Sequence, residues 1–207
     1  NMNIKREAVG VLEAVTAEDI GKFPDTNLAE SLQRIPGVSI DRQNGEGSKV
    51  TVRGFGPAYN LVTLNGRTLP TATVGITGQR DNYSGAQGRS FAFENIASEG
   101  VSGLEVYKTG QAILPSGGIG ATINILTRRP LDSNEGSSVA AKAVYDSSRS
   151  EFSPEISGIY NGANEDSTFG VGLFASYAER ESSAAIGQTN DWVVRRADDF
   201  FSNTSIV

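Results

Sequence analysis

The chain contains no cysteine and no histidine. Those two absences together remove zinc centres, thiol nucleophiles, Ser-His-Asp triads and imidazole-ligated haem. Without cysteine there is no disulfide framework, so the cysteine count says nothing of an oxidising compartment. No run approaches the roughly 18 apolar residues of a membrane-crossing helix. Positive charge is short as well: 18 Lys and Arg face 24 Asp and Glu, a net charge of −6, so nucleic acid has no electrostatic support as a partner. The opening residues, NMNIKRE, lead into no apolar signal core, and any export signal is expected upstream or already removed. Glycine, by contrast, is plentiful at 24 of 207 residues, against an ordinary share of about 7%. That composition fits many turns and closely approaching strands, in one large domain or a medium domain plus part of another.

Residues 4–15 carry Val9, Val11 and Val15 and favour an early strand. The run 16–19, TAED, reads as a helix start with a hydroxyl cap and acids in the first turn. Asp25 and Thr26 offer a second cap, after which Leu28, Leu32 and Ile35 fall on one helical face until Pro36-Gly37 ends it. Short strands are expected at 38–41 and 50–53. Residues 61–69 read as a hairpin, because Asn65-Gly66 suits the positive φ angles of a type I′ turn. The stretch 70–90 is too long and polar for an ordinary connection and reads as a functional or a disordered loop. Residues 91–97 fit a short helix with Phe91, Phe93 and Ile96 inward. Two further strands lie in 104–127, separated by a Gly/Pro-rich bend. Strands interleaved with short helices over about 130 residues make an α+β module large enough to fold.

After Pro130 the period changes to two. In 168–178, Phe169, Val171, Leu173, Ala175 and Tyr177 share one face, with Phe174 the exception. An aromatic ring stands at each end of that face, and Phe152 and Tyr160 repeat the separation with Ile156 and Gly158 between. Val139, Ala141, Ala143 and Tyr145 form a weaker third case. Eight residues extend roughly 26 Å, near 20 Å of depth at a ~40° tilt, as in lipid-facing strands with aromatic girdles. An ordinary soluble antiparallel sandwich also alternates, so the pattern alone leaves both open. Three strands close no barrel. Trp192 and the polar run from Glu179 onward read as a long loop that the chain end cuts.

The chemical motifs exclude more than they assign. Gly117-Gly118-Ile119-Gly120 is not followed by Gly-Lys-Ser/Thr, and a strand rather than a helix comes next, so it is no phosphate loop. No carboxylate pair is held by one element, which leaves a glycosidase without an anchor. No EF-hand spacing occurs. No cofactor, metal or catalytic residue is assigned. Arg53 and Arg128-Arg129 end apolar strands, where guanidinium groups are either solvated or form bidentate pairs with carboxylates of another domain.

Five motifs in order over about 110 residues resemble the plug domain of TonB-dependent outer-membrane receptors. They are NLAESLQRIPGV at 27–38, VRGF at 52–55, VTLNG at 62–66 with Asn where Asp is usual, LEVYK at 104–108, and GGIGATINILTRRP at 117–130. The resemblance implies an α+β plug domain, a short mixed sheet with flanking helices, at 1–130. At 131–207 it implies the first antiparallel strands, about three, of an incomplete transmembrane β-barrel of about 22 strands. It also turns the aromatic-ended strands toward outer-membrane lipid, with the 146–151 turn outside the cell and the 161–167 turn in the periplasm.

What else it implies is active transport rather than catalysis. Cargo binds between outward loops and plug apices, and the TonB energy-coupling protein pulls on a segment expected upstream of Asn1. Arg53 and Arg129 match the family arginines that lock plug to barrel glutamates, expected beyond Val207. The variant NLAESLQRIPGVSIDRQNGEG with VTVRGFGP is most similar to a proteobacterial subgroup associated with oligosaccharide uptake, so oligosaccharide is the expected cargo. Tyr59, Asn60, Arg80, Asn82, Tyr83 and Arg89 are the candidate contacts, since aromatic, amide and guanidinium groups suit sugar stacking and hydroxyl binding. The alternatives are a ferric-siderophore receptor of the same fold, a soluble periplasmic binding module, and a carbohydrate-acting enzyme.

Overall fold

The computed structural model describes residues 2–21, 27–43, 45–71, 90–96, 98–131, 136–147 and 150–179. Helix α1 spans Met2–Glu7, strand β1 Leu12–Thr16, and helices α2 and α3 Ala17–Gly21 and Leu28–Leu32. Strands β2 and β3, Val38–Gln43 and Glu46–Val52, form a hairpin of their own. Strands β4 (Asn60–Leu64), β5 (Arg67–Thr68), β6 (Val101–Tyr107) and β7 (Ala121–Thr127) join β1 in a five-stranded sheet ordered β1-β6-β7-β4-β5. Strands β8 (Gly136–Asp146), β9 (Glu151–Ala163) and β10 (Gly170–Ala178) make a separate antiparallel sheet. The early strand is shorter than the valines implied. Met, Lys, Arg and Glu, all good helix formers, hold Met2–Glu7 in a helix instead.

The plug core lies between α3 and the β2–β3 hairpin on one side and the large sheet on the other. Leu28, Leu32, Val52, Leu104, Val106, Ile123 and Ile125 are fully buried there, each contributing about 1.5–3 kcal/mol. Phe93 joins them from a 3₁₀ turn, Phe93–Asn95, with Phe91 edge-on at 5.0 Å. The β4–β5 turn is type I′ as expected, Asn65 and Gly66 having φ of 50° and 81°.

The cap of α3 falls on Asn27 rather than on Asp25-Thr26, which lie outside the described residues. Asn27 Oδ1 accepts from the backbone of Ala29 and Glu30 at 3.0 and 3.3 Å, and Nδ2 donates to Gly47 O at 2.6 Å and Glu46 Oε1 at 3.0 Å. One buried amide therefore ends a helix and ties it to the hairpin, which Asp or Thr does less well for lack of an N–H pair. Asn27→Ala is expected to cost about 2–3 kcal/mol, read as a lowered urea midpoint of the plug with an unchanged slope. Asn27→Asp, which keeps the cap but loses the donor, is expected to fall between.

In the β8–β10 sheet the outer face bears Val139, Tyr145, Phe152, Ile156, Tyr160, Val171, Leu173 and Tyr177, all 40–79% exposed. On the opposite face the middle strand is buried, and there it is polar: Ser153, Ser157 and Asn161 of β9 are at most 7% exposed. Charges inside the strands also point there, Lys142 facing Glu155 across the β8–β9 ladder at 3.6 Å. A soluble sandwich buries its apolar face and wets its polar one. This sheet leaves its apolar face exposed and buries polar side chains along β9, as lipid-facing barrel strands do. Tyr145 stacks on Phe152 at 4.8 Å at one end of that face, and Tyr160 and Phe169 stand toward the other. Phe174 breaks the alternation because it belongs to the inner face. The strands hold 11, 13 and 9 residues, enough to cross the hydrocarbon at a tilt.

Candidate functional site

Two turns that are distant in sequence meet at one end of the plug sheet. After β3 the backbone of Arg53 enters the left-handed region, φ 55°, followed by Gly54 at 78°. An Arg tolerates this only where its surroundings hold it. Here its N–H donates to Gly37 O at 2.8 Å, and Val52 and Phe55 exchange backbone hydrogen bonds across the turn. The guanidinium reaches the turn before β7: Nε and Nη2 donate to Gly120 O at 3.2 and 2.7 Å, and Nη2 to Ile119 O at 3.3 Å. Gly120 N–H in turn donates to Tyr59 O at 3.0 Å, and Asn60 Nδ2 to Val50 O at 2.8 Å. Arg53 thus clamps the β2–β3 hairpin to the large sheet through carbonyl dipoles.

Arg129 lies two residues past the far end of β7, exposed, where the chain leaves the plug. The two arginines stand at opposite ends of that strand, roughly 25–30 Å apart at about 3.3 Å per residue. They are separate anchor points, not one cluster.

Of the cargo candidates, Tyr59 is 54% exposed with its ring edge-on to Phe55 at 6.4 Å. Asn60, one residue on, is only 7% exposed and turned into the plug. Arg80, Asn82, Tyr83 and Arg89 lie outside the described residues. The structure therefore brings Tyr59 to the surface without Asn60.

Across the middle of the sheet runs a polar row that pattern reading passed over. Thr63, Asn124 and Glu105 are register partners on β4, β7 and β6. Thr63 Oγ1 and Gly66 N–H donate to Asn124 Oδ1 at 2.8 Å each, and Asn124 Nδ2 donates to Glu105 Oε2 at 3.1 Å. Tyr107 closes the row by donating to the same carboxylate oxygen at 2.9 Å. Asn65 fastens the hairpin turn to the end of β7, accepting from Thr127 N–H at 3.0 Å and donating to its Oγ1 at 2.9 Å. An Asp there keeps the acceptor and loses the donor, a reason for Asn in VTLNG. The one visible signal was the alternation I-N-I and E-V-Y, which puts Asn124, Glu105 and Tyr107 on the face opposite the core.

Burial, then the hydrogen bond to Glu105 and that group's charge, push the Tyr107 phenol up to about 12 from 10.0. The fold favours the neutral phenol, so this contribution to stability is whole below pH 10 and is lost as pH rises towards about 12. Urea midpoints measured from pH 8 upward are expected to fall above pH 10, and Tyr107→Phe to flatten that fall.

A globular plug packed beside strands whose outer face is bare, apolar and uncharged defines a class: an outer-membrane protein with a plug against the wall of a β-barrel. The model of the TonB-dependent Receptor Plug Domain matches residues 4–122, and the chain belongs to that family. Its place is the outer membrane, and the family is one of transport receptors rather than enzymes. The chain is 30% identical over 154 residues to the ferric enterobactin receptor PirA of Pseudomonas aeruginosa, 70% of this chain and 20% of that receptor. It is 29% identical over 124 residues to the vitamin B12 transporter BtuB of Photobacterium profundum, 59% of this chain and 18% of that transporter. The crystal structure of the siderophore receptor PirA from Acinetobacter baumannii shares the fold, with a TM-score of 0.64 at 22% identity over 85% of this chain and 25% of that one. The chain spans about a fifth of the length of these curated relatives.

These matches overturn the oligosaccharide expectation, both as subgroup and as cargo, since the relatives are receptors of ferric siderophores and vitamin B12. The physical reason lies in which residues carried it. Asn27 is the α3 cap, Leu28, Ala29 and Leu32 are fully buried, and Val52 and Arg53 build an internal junction. They shape the plug scaffold and carry no information about cargo.

Proposed function

We propose that this chain is the plug (1–130) and the opening barrel strands (131–207) of a receptor that imports a metal chelate, foremost a ferric siderophore. The observation that carries the assignment is the 30% identity to a ferric enterobactin receptor over 70% of the chain. The chelate binds above the plug, and the TonB energy-coupling protein draws on a segment N-terminal to α1 to open the path. Arg53 and Arg129 hold the plug at the two ends of β7, Arg53 doing so while its Nε and Nη2 also serve the plug. Arg80 and Arg89 are the proposed partners of the anionic oxygens of the chelate, with Tyr59, Asn82 and Tyr83 as further contacts; Asn60, buried and bonded to Val50 O, drops out of the set. Guanidinium groups suit that chemistry through charge-assisted hydrogen bonds.

The test is uptake in a strain deleted for the full-length gene, comparing radiolabelled ferric enterobactin, cobalamin and a maltooligosaccharide. Loss of ferric-chelate uptake, restored by the wild-type gene and weakened about tenfold or more in apparent affinity by Arg80→Ala with Arg89→Ala, is the expected result. Loss of cobalamin uptake alone moves the cargo to a corrinoid chelate. Unchanged uptake of both metal chelates overturns the proposal.

A further inference from the structure

The inner face of the β8–β10 sheet is built mostly from small and polar side chains, its larger apolar residues being Val144 on β8, Ile159 on β9 and Phe174 on β10. On β10 it presents Gly170, Gly172, Ser176 and Ala178 around a single large ring, Phe174. On β9 it presents Ser153, Glu155, Ser157 and Asn161 around Ile159. Phe174 and Ile159 are direct cross-strand partners, so these two form one apolar patch, with Val144 standing apart from it opposite Ser153.

Opposite that patch stands a 3₁₀ turn of the plug, Ser98–Gly100. A β-carbon on Gly100 would lie 3.2 Å from Phe174 Cδ1 and Cγ and 3.5 Å from Cδ2, so the ring rests on bare glycine backbone. The glycine is held from behind, its carbonyl accepting Arg128 N–H at 3.3 Å. Leu64, Ile96 and Val101 of the plug line an open cleft of about 470 Å³ beside the same ring. The chain leaving the plug is accommodated in the complementary way: β-carbons on Gly170 and Gly172 would fall 3.0 and 3.1 Å from Pro130 side-chain carbons.

We infer that Phe174 and Ile159 form an apolar seat on the barrel wall, in which the Ser98–Gly100 turn rests while the path is shut and from which it lifts when the plug moves. A ring on a glycine is well suited to this. It fixes position by shape, and it parts without a buried ion pair to break. The inference rests on the transport reading above and adds to it the surface at which plug and wall separate.

The experiment uses the full-length receptor with Gly100→Cys and Phe174→Cys introduced together and any other cysteines removed. The β-carbon of Phe174 is one bond from a ring carbon lying 3.2 Å from the residue-100 β-carbon position, within the span of a disulfide. The expected result is a cross-linked peptide pair found by mass spectrometry in outer membranes, with ferric-enterobactin uptake blocked while oxidised and restored by dithiothreitol. Absence of the cross-link in folded, membrane-inserted receptor overturns the seat. A complete cross-link with uptake unimpaired overturns the lifting. Because the cross-link is read without transport, failure of the seat is distinguished from failure of the cargo assignment. In planar bilayers Phe174→Ala is expected to raise the open-channel leak several-fold and Phe174→Leu to leave it near wild type; equal leak in both also counts against the seat.

Discussion

Gly120→Ala is expected to destabilise the plug by about 2–4 kcal/mol, enough to expose it to protease at 37 °C. A methyl at this position would sit 2.4 Å from Asn60 Oδ1 and 2.9 Å from Phe55 Cβ. Neither neighbour yields cheaply. Asn60 is buried with its amide committed to Val50 O, and Phe55 lies in the turn whose ends are hydrogen-bonded to each other. The same carbonyl that accepts from Arg53 would have to move, so the clamp between the hairpin and the large sheet loosens with it. Gly118→Ala is expected to be at least as costly, because the atom in the way is the backbone oxygen of Ala121 at 2.6 Å. Gly110→Ala supplies the control: nothing lies within 4 Å of its β-carbon, and its effect should stay within about 0.5 kcal/mol. Urea titration of residues 2–131, with proteolysis of the intact receptor beside it, measures all three. A Gly120→Ala plug as stable as wild type would show that the two turns do not abut.

The second large effect is expected at Asn124. Its side chain is the middle of the row linking β4, β7 and β6, and Asn124→Ala leaves Thr63 Oγ1 and Gly66 N–H without their acceptor and Glu105 without one of its donors. Thr63 is 1% exposed and Asn124 9%, so water compensates poorly, and a loss of about 2–4 kcal/mol is expected. Asn124→Asp separates the hydrogen bonds from the packing. It keeps the acceptor, discards the donor and sets a carboxylate against Glu105, which raises the pKa of the pair. The variant should therefore be strongly destabilised at neutral pH and regain stability as pH falls and the pair takes up a proton. Stability of Asn124→Asp that does not depend on pH between 4 and 8 would contradict the arrangement.

Much of the fold was legible because local chemistry and final environment agree. Asn65-Gly66 makes a type I′ turn wherever two strands flank it. Leu28, Leu32 and Ile35 share a helical face whether or not the core is present. The alternation of 168–178 marks two faces of a strand before anything decides which face is wet. Composition alone removed thiol, imidazole and nucleic-acid chemistry, and the five motifs together carried the family.

The remainder needed the tertiary structure, since it depends on partners far away in the chain. Periodicity does not tell lipid from solvent; the resemblance turned the apolar side outward, and the buried polar row Ser153, Ser157 and Asn161 placed polar side chains on the other face. Arg53 reads as a solvated strand end until the turn at 119–120, more than sixty residues later, is seen to supply its acceptors. Asn27 became the cap because Gly47 lies beneath its amide. Phe174 looked like an error in a pattern until Gly100 was placed opposite it. Cargo was legible in neither the cap nor the core, because residues selected for packing one plug serve equally under any ligand. What the sequence determined by itself was the set of local shapes and the family; long-range pairing decided which of those shapes meet, because a side chain's partners are set by the fold and not by its neighbours in the chain.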